Sequence, residues 1–148
     1  MNGPTAVRLR PIRASDGHAL YMVFRRSLEA LTRSYGDEWV YDAADDAGTW
    51  PRWEPLYAHL ASACDLAWLA EREGVVVGYA RSMRRGDLRE LTEFFVTPEA
   101  AGAGVGRRLL EAAFPAEAGV ARMIIATGDP SAQSRYVRHG FTGHTPLA

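Results

Sequence analysis

The sequence contains no lysine, and all 17 of its basic residues are arginine. Asp and Glu number 18, which gives a formal net charge of −1 at pH 7. Proteins that bind nucleic acid through its phosphates carry an excess of basic residues, so we expect no nucleic-acid partner. The sequence also lacks a run of about 18 apolar residues and an apolar segment of the export-signal type in residues 1–13. We therefore expect no membrane partner and a cytoplasmic location.

Cysteine occurs once, at Cys64. A single cysteine excludes an internal disulfide framework and a metal site made of cysteines alone. The four histidines show no ligand spacing, so we predict no metal site. The chain of 148 residues is 47% hydrophobic, which suffices for one core. We therefore predict a single domain over residues 1–148.

Hydrophobic periodicity and turn residues predict nine elements in the order β-α-α-β-β-β-α-β-α. The predicted strands are 6–12, 65–71, 75–83, 89–98 and 122–127. The first predicted helix runs from a cap at Ser15 or Asp16 to Ser34, the third covers 104–114, and the last opens at Asp129–Pro130 and closes at Gly140.

Two prolines limit the second helix. A proline inside a helix removes a hydrogen bond and clashes with the preceding turn. We therefore predict that the regular helix begins near Glu54, with Pro55 in its first turn, and ends at Ala63. Its predicted buried side chains are Leu56 and Leu60.

Residues 35–50 are predicted to form a loop. It carries a run of carboxylates, namely Asp37, Glu38, Asp42, Asp45 and Asp46. Aromatic residues are interleaved with them and continue beyond them, namely Trp39, Tyr41, Trp50, Trp53 and Tyr57. A solvated loop needs fewer aromatic side chains than this, so we expect some to line a cleft wall or a subunit interface.

The element order predicts an α/β fold of the mixed α+β kind, with a mostly antiparallel sheet flanked by helices. An antiparallel meander is followed by one parallel crossover through the 104–114 helix. Ligands bind at such crossovers in α/β sheets. The start of this helix is therefore the first place to expect a site.

Three glycines stand at that start, Gly102, Gly104 and Gly106, followed by Arg107 and Arg108. Glycines let successive N–H groups turn toward one point, and the helix N-terminus adds positive potential, so the loop predicts an anion site. A triphosphate-binding loop needs a lysine, which is absent here. A dinucleotide-binding loop follows the first strand of a parallel sheet, whereas this one follows a meander. Another diphosphate ligand is therefore expected.

Two motifs in this order resemble the GNAT superfamily of acyl-CoA-dependent N-acyltransferases. The first is Val96-Thr97-Pro98 followed by the glycine loop 101–106, and the second is a final helix that matches at Ala132, Tyr136, Gly140 and Phe141. The sequence departs from the family at Ala101, where a Gln or Arg is usual, and at Asp129, where an Asn is frequent.

The resemblance implies a GNAT-like sheet whose C-terminal hairpin is short or missing, because only residues 142–148 follow Phe141. The strand at 122–127 would then be an exposed edge. We expect a second copy in a homodimer, or a missing C-terminal partner segment, to cover it.

The resemblance implies transfer of an acetyl group from acetyl-CoA, the acyl donor, to an unidentified amine acceptor. The acceptor would be a primary amine of a small molecule or a terminal amino group, attacking directly in a ternary complex. The family places its variable acceptor-binding region at 35–57, where the carboxylates would attract a cationic amine; a solvated acidic loop is the alternative. The alternatives are a non-catalytic acyl-CoA-binding module, one half of a tandem acetyltransferase, or an interaction domain that kept only the fold.

The resemblance also implies roles for individual residues. Tyr136 would be the general acid, with core packing as the alternative. Glu93 is preferred to Glu90 as the base, because residues three apart on a strand face opposite sides; a solvent-facing or arginine-paired acid is the alternative. The predicted acetyl-CoA-binding residues are Phe95, Val96, Gly102, Ala103, Gly104, Val105, Gly106, Arg107, Arg108 and Asp129.

Overall fold

The computed structural model describes residues 6–36, 46–126 and 130–143. Its strands are β1 (Arg8–Pro11), β2 (Leu66–Arg72), β3 (Val75–Arg85), β4 (Leu88–Val96) and β5 (Ala121–Ile124). Its α-helices are α1 (Gly17–Ser34), α2 (Asp46–Ala63), α3 (Val105–Ala113) and α4 (Pro130–Arg138). This order confirms the predicted β-α-α-β-β-β-α-β-α arrangement.

The strands form one sheet in the order β1-β2-β3-β4-β5. The first four pair antiparallel, and β5 pairs parallel to β4 after the crossover through α3. Short hairpin turns join β2 to β3 and β3 to β4, whereas the parallel pair needs a helix between its strands. The predicted meander with one parallel crossover is confirmed.

Opposite faces of the sheet carry different side chains. Leu69 and Tyr79 pack with α1 and α2 in a cluster rich in aromatic residues. Their neighbours Ala70 and Ala80 point to the other face and pack against Val105 and other small aliphatic residues of α3. This alternation is the period of two expected for a strand with both faces covered. The sheet therefore has an aromatic face under α1 and α2 and an aliphatic face under α3.

The predicted start of α2 at Glu54 is wrong, because the helix begins at Asp46 and contains Pro51 and Pro55. Each internal proline costs a helix about 3 kcal/mol. Aromatic packing opposes that cost: the Tyr21 ring lies 5.4 Å from the Trp50 ring and 5.9 Å from the Trp53 ring.

The prediction for the buried side chains of α2 is correct for one residue and wrong for the other. Leu60 is buried as predicted, but Leu56 is 44% exposed, and Tyr57 takes the buried position. Tyr57 belongs to the core, and Trp50 and Trp53 are partly buried and pack against it. The expectation that some of the aromatic residues line a cleft wall or a subunit interface stays a prediction. Trp39, Tyr41 and the carboxylates at 37–45 lie outside the described residues.

The first strand and the helix cap also differ from expectation. β1 is shorter than the predicted 6–12 and includes Pro11, which an edge strand tolerates. Asp16 does not cap α1 with its side chain. Its carboxylate instead accepts hydrogen bonds from the Arg13 N–H, at 2.7 Å, and from the Arg10 guanidinium, at 2.8 Å. These bonds hold the pKa of Asp16 below its usual value.

Within the described residues, the last strand forms the exposed sheet edge that the resemblance implied. β5 stands at the end of the sheet order, and within the described residues its one strand neighbour is β4. Met123 is 37% exposed, and Ile125, just beyond the strand, is 63% exposed. The expectation that a second copy or another segment covers this edge stays a prediction, which light scattering at micromolar concentration would test.

Candidate functional site

The glycine turn leads from β4 into α3. Gly102 has φ of 81° and Gly104 has φ of 75°, which is left-handed backbone that favours glycine. A Cβ at either position would meet no heavy atom within 4 Å. Both glycines therefore keep one side of the turn open.

The N-terminus of α3 carries hydrogen-bond donors without helical partners. The first bond within the helix runs from the Arg108 N–H to the Gly104 carbonyl, at 3.2 Å. The N–H groups of Val105, Gly106 and Arg107 precede this bond and have no acceptor inside the helix. These N–H groups and the helix dipole are the features on which the predicted anion site depends, and the site stays a prediction.

Beside this turn, β4 loses one of its neighbouring strands. β5 pairs with β4 only as far as Leu91 opposite Ile124, whereas β4 continues to Val96. Within the described residues no strand lies on that side of β4 beyond Leu91. We call this opening between β4 and β5 the β4–β5 gap.

Backbone groups of β4 point into the gap. The Thr97 N–H donates to the Val77 carbonyl of β3 at 2.9 Å. In an antiparallel ladder, residues alternate between bonding one neighbour and the other. Val96 and Phe94 therefore direct their backbone groups away from β3. The Val96 N–H is thus placed as a donor toward the gap, and its carbonyl accepts from the Ser27 hydroxyl at 3.2 Å.

Three other predicted acetyl-CoA-binding side chains have partners within the protein. The Phe95 ring packs on those of Phe24 and Tyr79, at 5.2 and 5.8 Å between ring centres. Arg107 lies 3.3 Å from Glu111 across one helical turn, and Arg108 donates to the Val7 carbonyl at 3.0 Å.

A β-bulge interrupts β4 at the start of the gap. Arg81 of β3 pairs with Glu93, and the next residue, Ser82, pairs with Leu91, so Thr92 is the extra residue. A bulge adds one residue to one strand and thereby shifts the alternation of its side chains. The two halves of β4 on either side of Thr92 are therefore out of phase.

This shift corrects the prediction for the two glutamates. Glu93 pairs with Arg81, and Glu90 pairs with Met83. Because Arg81 and Met83 are two apart on a regular strand, both glutamates lie on the same face of the sheet, not on opposite faces.

Glu93 is part of a buried polar cluster on the aromatic face. Its carboxylate accepts from the Nε of Arg81, whose side chain is 1% exposed, and from the Tyr79 hydroxyl at 3.3 Å. The Tyr57 hydroxyl lies 3.3 Å from that of Tyr79, and the Arg81 guanidinium stacks 5.0 Å from the Tyr57 ring. Glu93 is therefore paired with an arginine, and its role as the base stays a prediction.

Burial raises the pKa of the Glu93 carboxyl above its usual value, and Arg81 and Tyr79 only partly oppose this shift. Burial likewise raises the pKa of the Tyr79 hydroxyl. Arg81 and Tyr79 were not among the predicted site residues. The available signal was an arginine directly after the apolar segment 75–80.

Tyr136 lies on the aliphatic face beside the gap. It packs against the cluster of Leu91, Leu110 and Phe114, and its ring centre lies 6.3 Å from that of Phe94. Phe94 belongs to the half of β4 that borders the gap, so α4 brings Tyr136 near the opening. Asp129 lies outside the described residues.

Cys64 behaves as a packing residue. Its sulfur lies 4.0 Å from the Thr92 hydroxyl, and burial raises the pKa of its thiol. A nucleophilic cysteine needs a lowered pKa, so this environment is that of an inert thiol.

A family model described as an acetyltransferase (GNAT) domain matches residues 64–143, more than half of the chain. The chain belongs to this family. The match covers β2 through α4 and so includes the bulge, the β4–β5 gap and the glycine turn. No curated protein sequence matches the chain.

Solved GNAT structures share the fold at low sequence identity. The PaiA N-acetyltransferase of Thermoplasma acidophilum, solved with coenzyme A, is 16% identical, with a TM-score of 0.72 over 93% of this chain and 90% of that one. A GNAT acetyltransferase of Brucella melitensis, solved with acetyl-CoA, is 18% identical, with a TM-score of 0.60 over 94% and 84%. The Escherichia coli ribosomal-protein-S18-alanine N-acetyltransferase is 16% identical, with a TM-score of 0.64 over 95% and 80%.

Two features are absent from residues 6–36, 46–126 and 130–143. No helix there is long and apolar enough to cross a bilayer. No group of three His, Cys, Asp or Glu side chains lies close enough to hold a metal ion. The cytoplasmic location stays a prediction.

Proposed function

We propose that this GNAT domain is an acetyl-CoA-dependent N-acetyltransferase that acts on a primary amine of a small molecule or on a terminal amino group. The observation that carries the proposal is the β4–β5 gap, which opens directly beside the unpaired N–H groups of α3. The gap offers backbone donors to an extended polar chain, and the helix N-terminus offers donors to a diphosphate. Acetyl-CoA joins these two chemical parts in one molecule.

In the proposed reaction, the amine and acetyl-CoA are held together and react directly. The amine nitrogen forms a bond to the acetyl carbonyl carbon, and the carbon–sulfur bond breaks. The Val96 N–H donates to the carbonyl oxygen as it gains negative charge. One proton leaves the nitrogen and one reaches the departing thiolate, so the step is balanced.

Tyr136 is proposed to supply the proton to the thiolate. Its support is the position of its ring near Phe94 at the gap. Glu93 is proposed to accept the proton of the amine through water. A carboxylate with a raised pKa is a stronger base than an ordinary one, which suits this role near neutral pH.

The second candidate is a non-catalytic acyl-CoA-binding module. It is favoured by the Arg81–Glu93 ion pair, because a carboxylate held by a buried guanidinium is less available to take a proton. In this reading the gap and the glycine turn keep their binding role, and Glu93 serves only the packing of the aromatic face.

Two measurements separate these candidates. A calorimetric titration with acetyl-CoA tests binding, and release of free CoA thiol in the presence of primary amines and of peptides with a free N-terminus tests transfer. The chain has no lysine, so acetylation of its own side-chain amines adds no background. A Cys64→Ser background removes its one thiol. Binding with amine-dependent thiol release supports the enzyme, binding alone supports the module, and no binding contradicts both.

A further inference from the structure

One guanidinium lies beside the open N-terminus of α3, and it comes from α4. A Cβ added to Gly106 would lie 3.0 Å from the Arg135 Nη1 and 3.1 Å from the Phe94 Cζ. The Arg135 guanidinium also stands 5.5 Å from the centre of the Phe94 ring. Arg135 therefore sits where the glycine turn meets the β4–β5 gap, and Gly106 leaves room for it.

This position is electrostatically unfavourable without an anion. The N-terminus of a helix carries partial positive charge, so a cation beside it is repelled. No ion pair joins Arg135 to a carboxylate within the described part of the chain. An anion between the guanidinium and the N–H groups of α3 would be stabilised from both sides.

Other side chains near the turn do not fill this role. Residues 101–106 carry only Ala, Gly and Val, so the turn itself offers no polar side chain. Arg107 is engaged with Glu111, and Arg108 with the Val7 carbonyl. Arg135 is thus the arginine that the fold directs to the unpaired N–H groups.

We propose that Arg135 binds the diphosphate of acetyl-CoA, opposite the N–H groups of α3. This inference rests on the proposed function and adds to it a binding residue that its sequence motifs did not single out. Because the Arg135 guanidinium also contacts the Phe94 ring, it would hold the diphosphate where the β4–β5 gap begins.

The test compares Arg135→Gln with Arg138→Gln by calorimetric titration. Arg138 lies on the same helix, is exposed and loses the same charge when replaced. The ligands are CoA and dephospho-CoA, which differ only in the 3′-phosphate. We expect Arg135→Gln to weaken both ligands about tenfold, the loss typical of one charge-assisted hydrogen bond, and Arg138→Gln to change neither.

Several results would overturn the inference. These are unchanged binding in Arg135→Gln, equal weakening in Arg138→Gln, or a loss for CoA that is absent for dephospho-CoA. If Arg135→Gln does not fold, Arg135→Lys replaces it. We then expect a smaller loss of affinity for both ligands, and an unchanged affinity would contradict the contact. Failure of the parent chain to bind CoA would instead reject the proposed function itself.

Discussion

The two halves of strand β4 differ in their neighbours. Residues 88–91 pair with β3 on one side and with β5 on the other, whereas residues 93–96 pair, within the described part of the chain, with β3 alone. The change occurs at Thr92, the extra residue of the bulge. One strand thus passes from the middle of a sheet to the border of the β4–β5 gap.

The side chains of the two halves differ accordingly. In the first half, Arg89 is 3% exposed and pairs with Asp65 at 2.9 Å and with Glu117 at 3.0 Å. These ion pairs connect β4 to the segments that precede β2 and follow α3. In the second half, Phe94 and Val96 present backbone groups that β5 does not use. The first half of β4 therefore holds the sheet together, and the second half leaves backbone donors for a ligand.

The largest expected effect is on the rate of the proposed reaction beside the second half of β4. Tyr136→Phe keeps the ring and removes the acidic proton. If Tyr136 protonates the thiolate, acetyl-CoA binding should persist while kcat falls by about 10²–10⁴, the usual loss of a general acid. Steady-state kinetics with the best acceptor checks this, and an unchanged kcat would assign Tyr136 to packing.

A second substitution closes the glycine turn. Gly104→Glu puts a carboxylate where the diphosphate is expected, and repulsion of like charges should weaken acetyl-CoA binding about 100-fold or more. Gly86→Glu is the matched control, because Gly86 also has positive φ and open space but lies in the turn between β3 and β4, at the first half. Calorimetry on both variants checks the prediction. Equal binding by Gly104→Glu and the parent would show that the turn is not the site.

The third prediction concerns stability and pH. The folded-state pKa of Glu93 is raised, so the protonated form is favoured by folding, and stability falls as pH rises above the ordinary value of 4.5. Arg81→Met removes the guanidinium that limits this shift. We expect a loss of about 3 kcal/mol in unfolding free energy at pH 7, typical of an uncompensated buried charge, and a smaller loss near pH 4.

Urea unfolding of the variant at the two pH values checks this expectation. The double variant Arg81→Met with Glu93→Gln removes both charges and should recover much of the stability at pH 7. A loss that is equal at both pH values, or a double variant no more stable than Arg81→Met, would contradict the account of the pair.

The smallest expected effect is on stability, and it tests whether Ser27 supports the second half of β4. Ser27→Ala removes the hydroxyl that bonds the Val96 carbonyl, and we expect a loss of about 1 kcal/mol, or about 3 °C in Tm. Ser62→Ala is the control, because the Ser62 hydroxyl bonds only the nearby His59 carbonyl on the exposed side of α2. Thermal unfolding that ranks the two variants equally would mean that Ser27 does not support the gap.

Much of the fold follows from periodicity. The spacing of the apolar residues Val105, Leu109, Leu110 and Ala113 places them on one face of α3, and all four are buried. The closing glycine of the last helix, Gly140, has φ of 85°. Such features depend on neighbouring residues, whose preferences a sequence displays directly.

Features that depend on contacts between residues far apart in the chain were not predicted from the sequence. The bulge at Thr92 has no glycine or proline to mark it, and it reversed the expected facing of Glu90 relative to Glu93. Likewise, the early start of α2 depends on aromatic contacts with Tyr21 that local propensity does not contain. The pairing of Glu93 with Arg81, twelve residues away, needs the register of β3 against β4.

The central claim is that the second half of β4 and the N-terminus of α3 bind acetyl-CoA while the first half of β4 does not. An amide NMR titration with acetyl-CoA tests it residue by residue. The account predicts shifted resonances and slower hydrogen exchange at Phe94, Val96 and Gly106, with residues 88–91 unchanged. Unaltered amides at these three positions in a chain saturated with acetyl-CoA would contradict it.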